Sequence, residues 1–280
     1  MSALTHIDFE VDGQPFGADL TSAHDLAVRL DFDGPQPNAF HLAPASSRAV
    51  EADGFVGDTS RGGSANCQDV HLNPHGNGTH TECVGHIVDE PVAIGEFARR
   101  PLMLAALITV APVALDKSAE TYRGEYADDD RAITRSALET AFLAAGAPTG
   151  FSEALIIRTL PNSPDKIERN YSGANPPYPT DDALDWLLEL DVDHLVLDLP
   201  SLDREDDGGT LPNHHRFFGV PAGRTSLGGE AASARTVTEM AYVPDGLEDG
   251  RYLLNLQIPR FALDAAPSRP LLFGVSLVGG

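Results

Sequence analysis

The sequence predicts one α/β domain that is rich in β-strands, with a mixed central sheet or flattened barrel and few outer helices. Apolar segments of strand length recur through the 280 residues, whereas helical periodicity is confined to two short stretches. A strand, a helix and a second strand follow one another between residues 154 and 199, which is typical of a crossover unit. Because no internal repeat and no linker interrupts the chain, residues 1–280 are expected to form a single domain.

The first hundred residues are expected to supply strands and one long loop. His6–Val11 is a predicted strand, and Leu26–Phe32 is another because apolar residues alternate along it. Gly34–Ala65 is rich in glycine, proline, alanine and serine and is interpreted as a loop, with the short strand Asn66–Leu72 after it. Phe97–Val113 is predicted to be a buried strand.

The rest of the chain alternates between predicted helices and strands. Ile133–Gly146 is a predicted helix in which Ser136 and Glu139 have capping-box spacing, and its apolar face holds Leu138, Phe142 and Leu143. The turn residues Gly208–Asn213 precede a histidine pair. Further predicted elements are the strand Ala154–Leu160, the helix Asp181–Leu190 and the strands His194–Leu199, Thr236–Val243, Arg251–Pro259 and Arg269–Val278.

Composition excludes several classes of partner. The formal net charge is −23, so nucleic acid and anionic membranes are not expected to bind, which leaves a small-molecule substrate. The longest apolar run, Pro101–Leu115, is too short to span a bilayer. Cys67 and Cys83 are too few for a disulfide framework, and with no apparent targeting segment a cytoplasmic location is expected.

The stretch His71–His86 (HLNPHGNGTHTECVGH) is the strongest candidate for a metal or catalytic site. It contains four of the ten histidines and one acid, at His71, His75, His80, His86 and Glu82. Imidazole and carboxylate groups are common ligands of divalent transition metals. On an extended strand His80, Glu82 and His86 would face one side of the sheet. The alternative is a polar loop whose histidines bond to the backbone.

Other catalytic patterns are weak, but two later groups add polar residues. There is no Gly-x-Ser-x-Gly sequence and no phosphate-binding loop, and Cys83 as a nucleophile is less favoured than a buried thiol. The segment Asp198–Asp203 follows a strand and precedes His214 and His215, either of which could be the site histidine. Glu239 lies in an otherwise apolar strand, where a buried carboxylate needs a partner or a metal.

Taken together, these groups resemble the cyclase-like family of metal-dependent hydrolases, which includes bacterial kynurenine formamidase and isatin hydrolase. The family pattern is His-x-Gly-Thr-His-x-Asp-x-Pro-x-His. Gly78-Thr79-His80 and His86 match it, Glu82 replaces the aspartate, Val84 replaces the proline, and His75 stands one residue before the expected first histidine. Asp198 to Asp203 matches the family's Asp-x-Pro-Ser-x-Asp segment, and His214 and Glu239 match later positions.

The resemblance implies a swivelling β/β/α fold, a binuclear metal site and association into a dimer or tetramer. One metal would take His75, His80, Glu82 and Glu239, and the other would take Glu82, His214 and Glu239, with His86 as general acid and base. Zinc is the first expectation for the one or two divalent ions, and manganese is the second.

The expected activity is hydrolysis of a C–N bond in an amide or cyclic amide, or of an ester. A bound divalent metal would lower the pKa of a water molecule to about 7 and polarise the carbonyl group. The alternatives from other classes are a metal-dependent lyase or dehydratase, and a non-catalytic metal- or ligand-binding protein.

Overall fold

The computed structural model describes residues 4–97, 100–147 and 149–279. Within these residues the chain forms seventeen β-strands, three α-helices and several short 3-10 turns. None of the described helices is both long and apolar enough to cross a membrane.

The strands are β1 His6–Val11, β2 Gln14–Asp25, β3 Ser46–Ala49, β4 Glu51–Ala52, β5 Phe55–Val56, β6 Gln68–His71, β7 His80–Cys83, β8 Met103–Val110, β9 Val113–Ala114, β10 Arg131–Ile133, β11 Ala154–Thr159, β12 Tyr178–Pro179, β13 His194–Leu197, β14 Thr236–Glu239, β15 Gly250–Gln257, β16 Ala265–Pro267 and β17 Arg269–Leu277. The helices are α1 Arg135–Ala144, α2 Asp181–Glu189 and α3 Pro212–Phe218.

A large mixed sheet is the centre of the fold. Among the described strands, ten join it in the order β1-β2-β17-β15-β8-β11-β13-β14-β7-β16. The middle strands β8, β11, β13 and β14 run parallel, and the strands on both sides of them pair antiparallel. The predicted strand-rich α/β fold with a mixed central sheet is therefore confirmed.

The parallel strands are buried on both faces, since successive residues enter different cores. Ile157 of β11 packs in the same cluster as Leu138 of α1 and Leu184 of α2. The preceding residue, Ile156, packs on the opposite face with Leu254 of β15. This two-sided burial is usual for parallel strands and explains the continuous apolar run of β11. The helices thus cover one face, and the antiparallel strands extend the sheet toward its two ends.

The predicted strand Leu26–Phe32 is wrong, because the second strand ends at Asp25. The positive φ angles of Asp12 and Gly13, 51° and 77°, let the chain reverse tightly between β1 and β2. Leu26 is buried but has left the strand. The alternation of apolar residues in this segment therefore does not correspond to a strand, and of Leu26, Val28, Leu30 and Phe32 only Leu26 is buried.

The first predicted helix exists, but its capping residue and apolar face differ from the prediction. Residues 131–133 pair as strand β10, so the helix begins later, and Thr134 caps it by accepting a hydrogen bond from the Ala137 N–H at 3.3 Å. Ser136 is therefore not the cap. Leu143, predicted to face the core, is 80% exposed.

Two predicted loops contain regular structure. The segment Gly34–Ala65 includes β3, which pairs with β6, and the short hairpin formed by β4 and β5. The turn predicted over Gly208–Asn213 ends earlier, because α3 starts at Pro212. Strand β8 is shorter than predicted and begins at Met103, and residues 98 and 99 of that prediction lie outside the described residues.

Candidate metal centre

Strands β7 and β14 bring three of the predicted ligands to one face of the sheet. His80 and Glu82 are two residues apart on β7, so their side chains point the same way. Glu239 is the direct partner of His80 in the antiparallel pairing of β14 with β7. The His80 Nε2 and Glu239 Oε2 atoms are 3.3 Å apart. Glu239, the acid in an otherwise apolar predicted strand, therefore lies beside His80.

The carboxylate of Glu82 is the point where the remaining predicted residues converge. Its Oε1 atom lies 2.8 Å from His214 Nε2. Its Oε2 atom lies 3.1 Å from His75 Nδ1 and 3.9 Å from His86 Nε2. The side chain of Glu82 is 1% exposed. One buried carboxylate therefore faces three imidazoles that come from three different segments.

His86 reaches the site by a different route from the extended strand that was predicted. The strand ends at Cys83, and Val84–His86 forms a 3-10 turn that returns the imidazole toward Glu82. A side chain at Gly85 would place a Cβ atom 2.2 Å from the Val92 carbonyl oxygen, so this turn requires glycine. Glycine at position 85 therefore allows the close backbone approach to Val92 that accompanies the turn.

The histidine rings are also held at their outer nitrogens. His80 Nδ1 lies 3.0 Å from the Gly78 carbonyl oxygen, to which it can donate its proton. His214 Nδ1 lies 2.6 Å from Asp203 Oδ2. A proton on the outer nitrogen leaves the lone pair of the inner nitrogen directed at the acids, which is the usual arrangement of metal-binding histidines.

Asp264 is a site residue that the sequence analysis missed. Its Oδ2 atom lies 2.9 Å from His75 Nε2 and 3.1 Å from His86 Nδ1. It directly precedes β16, which pairs with β7 opposite Glu82. The available signal was a single acid between two apolar segments, Phe261–Leu263 and Ala265–Ala266. That pattern does not reveal that β16 joins the sheet beside the distant strand β7.

The donor atoms fit a divalent metal ion. His80 Nε2 and both oxygens of Glu82 are buried, and none has a hydrogen-bond partner of acceptable geometry among the described residues. Two triads have donor atoms within 4.8 Å of one another: His80 with Glu82 and Glu239, and His75 with Glu82 and His86. Buried carboxylate and imidazole groups without partners are costly unless a cation binds them. Nitrogen and oxygen donors of this kind suit zinc and manganese.

The electrostatics of the site favour charge on both kinds of group. Burial alone would raise the pKa of Glu82, but the imidazoles of His86 and His214 outweigh it and hold that pKa well below its usual value. Burial alone would lower the pKa of His75, but the hydrogen bond to Asp264 and the neighbouring carboxylate of Glu82 raise it to about 10. Protons and metal ions therefore compete for the same nitrogens, and metal affinity should fall as the pH falls.

The six predicted site residues meet in one place. His75 lies beside His86, their ring centroids 4.3 Å apart, and forms a triad with it and Glu82, while the His75 ring centroid also lies 5.3 Å from that of His80. The structure also shows which histidine of the pair His214-His215 faces the site. His214 faces Glu82, whereas His215 Nδ1 faces the Val220 carbonyl oxygen at 3.2 Å.

The side chain of Cys83 is on the opposite face of β7 from the side chain of Glu82. It is fully buried and packs with Ile94 and Ala266. Burial raises the pKa of its thiol to about 12. A thiolate nucleophile is therefore disfavoured, in line with the buried thiol favoured by the sequence.

Comparisons with known proteins agree with this description. The model of a family described as "Putative cyclase" matches residues 17–204. No curated protein sequence matches the chain. A "predicted metal-dependent hydrolase" from Bacillus stearothermophilus has a similar structure, with 15% identity and a TM-score of 0.56 over 90% of this chain and 98% of that one.

Two isatin hydrolases are also similar in structure. Isatin hydrolase A from Labrenzia aggregata, bound to benzyl benzoate, shares 16% identity with a TM-score of 0.59 over 90% of this chain and 93% of that one. Isatin hydrolase A from Ralstonia solanacearum shares 15% identity with a TM-score of 0.58 over 90% and 91%. The TM-scores show a common fold. Since the family model matches well over half of the sequence, this chain belongs to the cyclase family.

Proposed function

We propose that this protein is a metal-dependent hydrolase that cleaves an amide, cyclic amide or ester bond of a small molecule. The observation that carries the proposal is the buried carboxylate of Glu82, whose oxygens have no hydrogen-bond partner of acceptable geometry among the described residues although imidazoles approach from three sides. Membership of the cyclase family and the shared fold with isatin hydrolases support the same reaction class.

Five side chains would hold the metal. His80, Glu82 and Glu239 form one set of donors, and His75 and His214 approach Glu82 from either side. A divalent ion bound there would supply an acidified water molecule and polarise the carbonyl group of the substrate. We expect zinc first and manganese second, in one or two positions, because nitrogen and oxygen ligation suits both metals.

Among the described residues, the site is exposed on the side of His75, His86 and Asp264. His80, Glu82, Glu239 and His214 have side chains that are at most 4% exposed. The side chains of His75, His86 and Asp264 are 21%, 27% and 33% exposed. The substrate would therefore approach across the stacked rings of His75 and His86, and its scissile carbonyl would meet the buried acids behind them.

His86 is placed to move protons during hydrolysis. Its Nδ1 atom faces Asp264, which leaves Nε2 directed into the site. There it can accept a proton from the attacking water and deliver it to the leaving nitrogen or oxygen. In the balanced reaction a C–O bond forms, the C–N or ester C–O bond breaks, and the two hydrogens of water end on the acid and the leaving group.

A substrate panel in ¹⁸O-labelled water tests this proposal. Wild-type protein loaded with zinc or manganese would be incubated with isatin, aryl formamides and aryl esters, with His80→Ala as a control that should lack turnover. We expect hydrolysis of at least one class, with ¹⁸O in the carboxylate product. Kynurenine formamidase-like specificity would appear as a preference for the formamides.

Two outcomes would overturn the proposal. Release of product without ¹⁸O incorporation would indicate a lyase or dehydratase. Absence of turnover on the whole panel by protein with bound metal would favour a non-catalytic binding protein.

A further inference from the structure

We infer that Asp264 is a positioning residue that fixes the orientation and the proton position of two site imidazoles, those of His75 and His86. The inference rests on the proposed function, in which His75 binds metal and His86 transfers protons. It concerns a carboxylate that lies outside residues 17–204, which the family model matches.

One carboxylate oxygen of Asp264 is hydrogen-bonded to the imidazole rings of both His75 and His86. Asp264 Oδ2 is 2.9 Å from His75 Nε2 and 3.1 Å from His86 Nδ1. Each contact uses the outer nitrogen of the ring, and the inner nitrogens, His75 Nδ1 and His86 Nε2, are the atoms that face Glu82. The two rings stack at 4.3 Å with an angle of 28° between their planes. Asp264 therefore holds the rings nearly parallel, with both inner nitrogens directed to the same side.

The backbone keeps Asp264 in this position. The Cys83 N–H donates to the Asp264 carbonyl oxygen at 3.1 Å, and the next residue, Ala265, pairs with Glu82 in the sheet. The chain also approaches closely at Gly85, where an added Cβ would lie 3.3 Å from the Cβ of Asp264. Backbone hydrogen bonds thus hold Asp264 beside the strand that carries Glu82, although the two residues are 182 positions apart in the sequence.

The same arrangement recurs on the other side of Glu82. His214 directs Nε2 at Glu82 Oε1 and Nδ1 at Asp203 Oδ2. A carboxylate on the outer nitrogen fixes which nitrogen carries the proton and makes the inner nitrogen a better ligand or base. Asp203 serves one imidazole in this way, and Asp264 serves two.

The test compares wild-type protein with Asp264→Ala and Asp264→Asn. Zinc affinity would be measured by competition with a chelating dye. Loss of such an outer carboxylate commonly weakens metal affinity by about 10–100-fold, and we expect a decrease of that size in Asp264→Ala. Asp264→Asn is close in shape but lacks the charge, so it should give a smaller decrease. Asp129→Asn, an exposed residue, is the matched control for the same change of net charge.

A second readout separates positioning from general stability. In ¹⁵N-labelled, zinc-loaded wild-type protein, imidazole spectra should show His75 with its proton on Nε2 and His86 with its proton on Nδ1. Asp264→Ala should alter both signals and leave His214 unchanged. A merely structural role would not change the proton positions of two imidazoles selectively.

The outcomes distinguish this inference from the proposed function. If wild-type protein binds zinc and Asp264→Ala changes neither the affinity nor the imidazole signals, the inference is wrong and the proposed function stands. If Asp264→Asn loses a full equivalent of zinc, Asp264 is itself a ligand and the positioning role is wrong. If wild-type protein binds no zinc, the proposed function fails first.

Discussion

Glu82 and His75 depart from the family pattern at adjacent points in space. Glutamate is one methylene longer than the aspartate of the pattern, which displaces the carboxylate by roughly 1 Å. His75 stands one residue earlier than the pattern requires, yet its Nδ1 lies 3.1 Å from Glu82 Oε2. The longer acid and the displaced histidine therefore meet, which gives a physical reason why both departures occur in the same chain.

Single-residue variants at the site should separate the metal ligands from the proton-transfer residue. His86→Ala should keep its metal, while turnover falls by roughly 10²–10⁴-fold, the usual effect of losing a general acid–base group. His80→Ala and Glu239→Ala should lose metal and activity together, because both side chains belong to the buried triad with Glu82. The measurements are metal content and turnover rate on the same preparations.

One other result for His86 would change its assigned role. His86 also forms a triad with His75 and Glu82, so it could serve as a ligand. If His86→Ala loses its metal as completely as His80→Ala does, His86 is a ligand and the assigned base is wrong. The location of the site would be unaffected.

Cys83 should be dispensable for activity. Cys83→Ala is expected to retain turnover within a few-fold and to lower the free energy of unfolding by about 1–2 kcal/mol through a small cavity. In the folded protein a thiol reagent should modify Cys67, which is exposed, and not Cys83, which is buried. Loss of turnover in Cys83→Ala with the metal still bound would instead indicate thiol catalysis.

The residues of the candidate site were easier to identify from the sequence than the strand pairings and turns that bring them together. The density of histidine around Glu82, and the acid of Glu239 in an apolar strand, were visible as local patterns. Asp264 was not, because its role depends on the pairing of β16 with β7, which no local pattern encodes. The sequence likewise could not show which of His214 and His215 faces Glu82, since that depends on how α3 packs.

At the scale of elements, the strands were predicted best where burial is two-sided. The interior strands β11 and β13 were predicted to within two residues of their ends, since their apolar runs are continuous. Errors arose where pairing or turns decide the outcome, as in the hairpin of β1 with β2 and the 3-10 turn that ends at His86. In both places the geometry of a turn changed the structure that periodicity suggested.

The pairing of β13 with β14, which places Glu239, should depend on pH through His194. Burial lowers the pKa of His194 from 6.5 to about 4, and its Nδ1 contacts the Thr236 hydroxyl at 2.8 Å. The unfolded chain therefore binds a proton first as the pH falls, so this contribution to stability is complete above pH 6.5 and is lost toward pH 4.

The contribution of His194 to the free energy of unfolding can be measured by denaturation at several pH values. Between about pH 7.5 and about pH 5, protonation of His194 in the unfolded chain should lower the free energy of unfolding by about 2 kcal/mol. His194→Gln should lose less stability than wild type over that range. An unchanged pH dependence in His194→Gln would show that His194 is not the group responsible.

At the scale of the whole molecule, we predict that the chain associates. The cyclase-like resemblance implies a dimer or tetramer. Light scattering should therefore give at least twice the 29.8 kDa of one chain. A mass equal to one chain at all accessible concentrations would reject this prediction.

The strongly acidic composition bears on how the metal is bound. The net charge of −23 favours cation binding over the whole surface, so metal bound at the site must be distinguished from metal bound elsewhere. His80→Ala provides that reference, because it removes a fully buried proposed ligand and leaves the surface unchanged.

The most direct measurement for the central claim is elemental analysis of protein purified without chelators, with His80→Ala as the reference. The account predicts about one or two equivalents of a divalent transition metal in the wild type, and a clear loss in His80→Ala. Less than about a tenth of an equivalent in the wild type, even after reloading with zinc or manganese, would contradict it.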